Sequence, residues 1–278
     1  MHRAKSGINW RWGLGIACGG VFALGVLLEV PQQRATVGPQ QPPTAATPQA
    51  RDLQQVAQSI SVRILAEEPL GSGILIRQEG ATYTVVTNEH VLRFASPPYQ
   101  VETPDGRRYP LTQMRRGPSL EDNDLALLQF RTPGADYAIA QVGTHLTPGE
   151  PMFAGGFPWD SLSGEGEKGF VFRKGTLWRV LDRALAGGYR IGYTNEIEKG
   201  MSGGPLLNQQ GEVVGIHGMH AYPLWGDPYI YPDGSQPEAS LRDQMTRYSW
   251  GIPMQTLREL APFSAKGQTA IIYFSNGR

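Results

Sequence analysis

From Ser59 onward the chain carries short apolar runs: SISVRIL, GSGILIRQ, TYTVVTN, LALLQF, GEVVGIHG and TAIIYF. Runs of this length, rich in Val, Ile and Leu and bounded by turn-forming residues, predict short strands. Pro104-Asp105-Gly106, Asn208-Gln209-Gln210-Gly211 and Pro232-Asp233-Gly234 supply turns between them. Stretches with helical period are few, and the first, RDLQQVAQ, precedes the first strand. The pattern predicts an all-β sandwich or barrel.

The amino end reads differently. Seventeen uncharged residues, Trp12 to Leu28, follow Arg3, Lys5 and Arg11. An apolar run of this length behind a basic flank predicts a membrane-targeting segment over 1–30, with a cytoplasmic amino end and the rest of the chain exported. The run passes into Leu27-Leu28-Glu29-Val30-Pro31 without a clear small-x-small cleavage site, which favours an uncleaved membrane anchor over a signal peptide that is removed. Residues 31–50 hold five prolines among Gln, Thr and Ala and predict a disordered tether. Fully extended as polyproline II it would reach as much as about 60 Å. The folded domain is expected over 51–278.

The 278 residues include 25 basic and 25 acidic side chains, a formal net charge of +0. No global field draws this chain to nucleic acid, so nucleic-acid partners are not expected. The lone cysteine, Cys18, lies in the apolar segment and forbids an intramolecular disulfide.

Three short stretches carry chemistry. His90 follows a strand in Thr87-Asn88-Glu89-His90-Val91, where an imidazole can leave the core and reach a cleft. Asp124 stands directly before the apolar run Leu125-Ala126-Leu127-Leu128, where the adjoining core can partly desolvate its carboxylate. In Gly200-Met201-Ser202-Gly203-Gly204-Pro205 the glycines permit a tight backbone whose Gly200 and Ser202 amides can point at one oxyanion. Acyl transfer needs a hydroxyl nucleophile, a base, a carboxylate to hold the base's tautomer, and oxyanion donors, and all four are here.

The order His, Asp, Ser, with gaps of 34 and 78 residues, resembles the trypsin-like serine peptidases over about 200 residues, from roughly Ser59 to Leu260. The resemblance is closest to the disulfide-free bacterial branch that includes the HtrA-type peptidases, with its T-N-x-H-V, D-x-A-L and G-x-S-G-G-P series. Gly211 to Ile216 resembles the strand after the nucleophile, and Ser249-Trp250-Gly251-Ile252-Pro253 the last strand before a closing helix. The resemblance implies a chymotrypsin-like fold: two antiparallel six-stranded β-barrels, over about 55–138 and 139–262, with a short C-terminal helix, and behind the N-terminal membrane helix. It implies a serine endopeptidase acting on proteins or peptides, with catalytic His90, Asp124 and Ser202. A catalytically silent or gated peptide-binding protein of the same fold is the alternative. Self-assembly into a homo-oligomer is compatible with either.

Two departures stand out. Many trypsin relatives carry, just before the serine, an aspartate that pairs with a newly cut amino terminus, and here that residue is Met201. The Gly200 peptide could then rest in an inactive orientation until a substrate or partner turns its amide. About eighteen residues follow Leu260, so a peptidase domain without a PDZ domain is expected.

Selectivity is open in two directions. His217 and Gly218 match the place where glutamate-specific relatives hold a substrate carboxylate, which suggests cleavage after an acidic residue. Glu196, six residues before the serine, matches the acidic selector of relatives that cut after Lys or Arg. His145, His217 and His220 lack the ligand spacing of a zinc site, and serine chemistry needs neither metal nor cofactor, so none is expected. The connection between His220 and Trp250 is long and rich in Tyr, Trp and Pro. Trp225, Tyr229 and Tyr231 are candidates for a cover or wall over bound peptide.

Overall fold

The structure, a computed structural model, describes residues 48–93, 95–159, 169–223 and 227–261. The expected anchor, most of the tether and the TAIIYF run lie outside the described residues. Among the described residues no helix is long and apolar enough to cross a membrane.

Six strands, β1 (Ser61–Leu65), β2 (Pro69–Glu79), β3 (Thr82–Thr87), β4 (Gln100–Glu102), β5 (Arg108–Arg116) and β6 (Ala126–Arg131), close a barrel in the order β1-β2-β3-β6-β5-β4. A second set, β7 (Pro151–Gly156), β8 (Val171–Val180), β9 (Ile191–Tyr193), β10 (Pro205–Leu207), β11 (Val213–Met219) and β12 (Ser249–Pro253), closes as β7-β8-β9-β12-β11-β10. The chain thus traces one antiparallel path twice, as the resemblance implies. Closure pairs β1 with β4 and β10 with β7.

Side-chain alternation sorts the apolar residues between two destinations. Tyr83 and Val85 of β3 join Val62, Ile64, Leu75 and Phe130 inside the first barrel. Val86, on the other face of β3, joins Ile74, Ile76, Leu125 and Leu127 and meets Phe153, Leu207, Val213 and Ile252 of the second barrel. Leu53 and Ala57 of α1 (Pro48–Ser59) belong to this shared layer, as do Met254 and Leu257 of α4 (Met254–Leu260). Strands that face both a barrel interior and this layer are buried on both sides, which is why they read as unbroken apolar runs. Each large apolar side chain so buried contributes about 1.5–3 kcal/mol.

β5 and β8 turn one face to solvent and carry sequences such as RYPLTQMRR, without an apolar run to mark them. The 220–250 connection is not a structureless loop. It includes α3 (Ala239–Met245) and packs against the second barrel: the Tyr229 hydroxyl donates to the Met245 carbonyl at 3.2 Å, as does Trp250 Nε1 at 3.1 Å. Tyr229 is only 1% exposed, so it is a core residue and not the wall over a bound peptide expected from sequence. Tyr231 lies under the Arg183 guanidinium, 4.2 Å from the ring centre, and Trp225 falls outside the described residues.

Candidate active site

His90 sits on α2 (Glu89–Arg93), a single turn that follows β3 directly. Val91 and Leu92 are buried in the first barrel, which leaves the His90 imidazole facing the groove between the barrels. Asp124 stands at the entrance to β6. Its amide donates to the Gly187 carbonyl at 2.9 Å, and its carbonyl accepts from Asn88 Nδ2 at 2.9 Å. The carboxylate turns toward His90: Oδ1 accepts from the His90 amide at 2.8 Å, and Oδ2 lies 2.6 Å from Nδ1. Oδ2 also accepts from the Tyr189 hydroxyl. This pairing favours the tautomer with hydrogen on Nδ1 and leaves Nε2 as the basic nitrogen.

The electrostatics agree with that geometry. Burial raises the Asp124 carboxyl's proton affinity, but the hydrogen bond and charge of His90, the Tyr189 hydroxyl and the His90 amide outweigh it, and the net shift is downward from the ordinary carboxylate range. Tyr189 moves the other way. Burial first, then the Asp124 charge, pushes the phenol well above its ordinary value, so it keeps its proton and donates.

The Ser202 turn lies between β9 and β10, with positive φ at Gly200 (95°) and Gly203 (87°). Met201 is fully buried beneath it, and its sulfur accepts from the Glu198 amide at 3.4 Å. An apolar plug thus occupies the position directly before the serine. From the first barrel, the Ser72 amide donates to the Ser202 carbonyl at 2.9 Å, and the Ser72 hydroxyl donates to the Gly200 carbonyl at 2.8 Å while accepting from the Phe157 amide at 2.9 Å. The Lys199 carbonyl accepts from the Trp159 amide at 2.7 Å. This contact and the Ser72 hydroxyl hold the peptides on either side of Gly200, which lines the cleft.

Ser202, His90 and Gly200 line one cleft of about 740 Å³, which runs over first-barrel residues Leu70, Ala95 and Pro97 and is bounded by Trp159. The Ser202 hydroxyl points to the Gly218 carbonyl at 3.4 Å, a loose contact that it must leave to give its proton to a base.

The selectivity residues fare differently. His217 is 0% exposed, and neither ring nitrogen makes a well-formed hydrogen bond, although the Gly155 and Met201 carbonyls lie close. Burial lowers its pKa to about 4 despite the nearby Gly155 and Met201 carbonyls, which act the other way. It is a neutral ring sealed beneath the nucleophile turn, which corrects its assignment to a substrate carboxylate. Glu196 is exposed on the loop before the nucleophile, while its neighbours are engaged: Glu198 pairs with Arg173 at 2.6 Å and the Lys199 ammonium lies 4.4 Å from the Trp159 ring centre. Gly218 packs against Tyr189 and Asn88 and also offers its carbonyl to Ser202: a side chain there would lie 2.5 Å from the Tyr189 hydroxyl. Among the described residues no group of three or more His, Cys, Asp or Glu side chains is arranged to hold a metal.

Sequence reasoning missed Ser72, Trp159 and Tyr189. Two of these had a signal: Ser72 lies between Gly71 and Gly73 inside a strand, and Tyr189 follows Gly187-Gly188. Glycine at such places marks close approach of another segment.

A profile of the trypsin-like peptidase domain matches residues 71–216. Serine protease HTRA1 of Xenopus laevis is 32% identical over 161 residues, covering 53% of this chain and 30% of the relative. The periplasmic serine endoprotease DegP of Salmonella typhimurium is 28% identical over 195 residues, covering 64% of this chain and 36% of the relative. The chain thus spans about a third of the length of these curated relatives. The crystal structure of Deg5 superposes with a TM-score of 0.54 at 23% identity, over 76% of this chain and 91% of that one, a likeness of fold.

Proposed function

Because the chain belongs to the trypsin-like peptidase family, we propose that it is a serine endopeptidase that cleaves proteins or peptides through an acyl-enzyme. The observation that carries this reading is the 2.6 Å pair of His90 Nδ1 and Asp124 Oδ2, with His90 lining the same cleft as Ser202 and Gly200. In this reading His90 Nε2 takes the Ser202 proton as the hydroxyl oxygen attacks the substrate carbonyl. Asp124 stabilises the resulting imidazolium, and the Gly200 and Ser202 amides hold the oxyanion. Collapse of the tetrahedral intermediate breaks the C–N bond, and His90 gives its proton to the leaving amine. Water, deprotonated by the same imidazole, then releases the acyl group and returns the proton to Ser202.

The leaving amine departs on the His90 side, so that half of the substrate lies along Leu70, Ala95 and Pro97, an apolar surface. The word periplasmic in the name of one relative supports an exported site of action, in keeping with the targeting segment read from sequence. The test is labelling of the purified full-length chain with a fluorophosphonate, located by peptide mass spectrometry. An adduct on Ser202 is expected, and Ser202→Ala should abolish both adduct and turnover, the latter by about a millionfold. A folded protein that forms no adduct and cleaves no peptide would overturn the reading in favour of a peptide-binding protein of the same fold.

A further inference from the structure

We propose that Tyr189 is a positioning residue for catalysis: from the second barrel its hydroxyl fixes the carboxylate of Asp124, and Gly218 lacks a side chain because that hydroxyl takes the space. The inference rests on the triad reading above.

Asp124 belongs to the first barrel, at the start of β6, whereas Tyr189 leads into β9 of the second. A carboxylate turns easily about its last side-chain bond, so a single partner does not hold its plane. Here both oxygens are engaged. The His90 amide donates to Oδ1 at 2.8 Å, and Tyr189 donates to Oδ2, the same atom that lies 2.6 Å from His90 Nδ1. Rotation of the carboxylate would break all of these contacts together. The phenol is buried and keeps its proton, so it acts only as a donor toward the carboxylate.

The surrounding chain is arranged around this contact. Tyr189 follows a 3-10 turn, Ala186–Gly188, in which Gly187 and Gly188 have φ of 78° and 87°. The Gly187 carbonyl accepts from the Asp124 amide at 2.9 Å, so the turn grips the backbone as well as the side chain of the acid. A side chain on Gly188 would overlap Asn123. A Cβ on Gly218 would lie 2.5 Å from the Tyr189 hydroxyl and 2.6 Å from Asn88 Oδ1. The long connection after β11 braces the turn from behind. The Ile230 carbonyl accepts from the Ala186 amide at 2.7 Å, Arg183 pairs with Asp233 at 2.7 Å, and its guanidinium covers Tyr231. That connection therefore acts on the acid through the turn, with Tyr229 in the core and Tyr231 beneath Arg183.

Tyr189→Phe removes one oxygen and keeps the ring. Loss of a hydrogen bond to a charged group predicts that kcat falls by about tenfold to a hundredfold while KM stays within about twofold. With one donor fewer, Asp124 is a stronger partner for the charged imidazole, so the acid limb of the kcat/KM profile moves to higher pH. A residue of purely structural importance would lower the folded fraction without moving that limb. Gly218→Ala would press on both the Tyr189 hydroxyl and Asn88 Oδ1 and should also lower kcat; on the Tyr189→Phe background it should cost less than in the unaltered protein, because the clash with the hydroxyl is then gone. The His90 Nδ1 proton, followed by NMR in the full chain, should change its resonance in Tyr189→Phe, a readout that needs no turnover. If kcat, the pH profile and that resonance all match those of the unaltered protein, the inference is wrong. If the unaltered protein forms no Ser202 adduct while the resonance still shifts, the peptidase reading fails and the positioning contact stands.

Discussion

The buried imidazole of His217 makes the stability of this protein depend on pH in a calculable way. In the unfolded chain it titrates near the ordinary value of about 6.5, whereas in the fold burial holds it at about 4. Between those values the unfolded chain binds a proton that the folded chain refuses, so stability is greatest above pH about 6.5 and falls as pH falls. Each tenfold change in proton affinity is about 1.36 kcal/mol, so by pH about 4 this ring alone costs about 3 kcal/mol. For a domain whose total stability is about 5–15 kcal/mol, that is a large share. Asp124, whose proton affinity is lowered in the fold, also loses stability on acidification, but below the ordinary carboxylate range and so mostly beneath this window. His217→Leu keeps an apolar side chain in the same cavity and removes the titration. Urea unfolding at a series of pH values from about 7 to about 4.5 should show the unaltered protein losing about 2–3 kcal/mol more than the variant. Parallel losses in the two proteins would mean that the ring is hydrated or paired in solution, and would refute the account of it as a sealed neutral residue.

Two further changes probe the nucleophile turn. Ser72→Ala leaves the Gly200 carbonyl and the Phe157 amide without their shared hydroxyl, which should cost about 1–3 kcal/mol of stability and slow fluorophosphonate labelling. Labelling at an unchanged rate would show that this contact does not hold the oxyanion site. Gly203→Ala adds a side chain at φ 87° that would overlap the Ser72 carbonyl and the Thr87 hydroxyl, and should destabilise by about 3 kcal/mol or more. Calorimetry showing Gly203→Ala within about 1 kcal/mol of the unaltered protein would contradict that crowding.

The strands legible in the sequence were those buried on both faces. GSGILIRQ, TYTVVTN and LALLQF became β2, β3 and β6 because each borders both the first barrel's interior and the layer between the barrels. β5 and β8 were not legible, since a strand with a solvent face carries polar residues that composition cannot distinguish from loop. The three-residue strands β4, β9 and β10 are too short for any period to emerge.

The same division runs through the site. Local demands wrote the nucleophile turn into the sequence: positive φ at Gly200 and Gly203 and a tight passage at Gly204 leave a glycine signature that needs no tertiary contact to read. The order of His90, Asp124 and Ser202, and their positions beside strands, were equally visible. The contacts that hold those residues in place were not. Tyr189 reaches Asp124 across 65 residues and Ser72 reaches Gly200 across 128, each from the opposite barrel. The docking of the barrels also decided that His217 would be sealed in while Glu196 stayed in solvent. A residue's exposure and its partners are properties of the packed whole, and nothing in the local backbone constrains them until both barrels have closed and met.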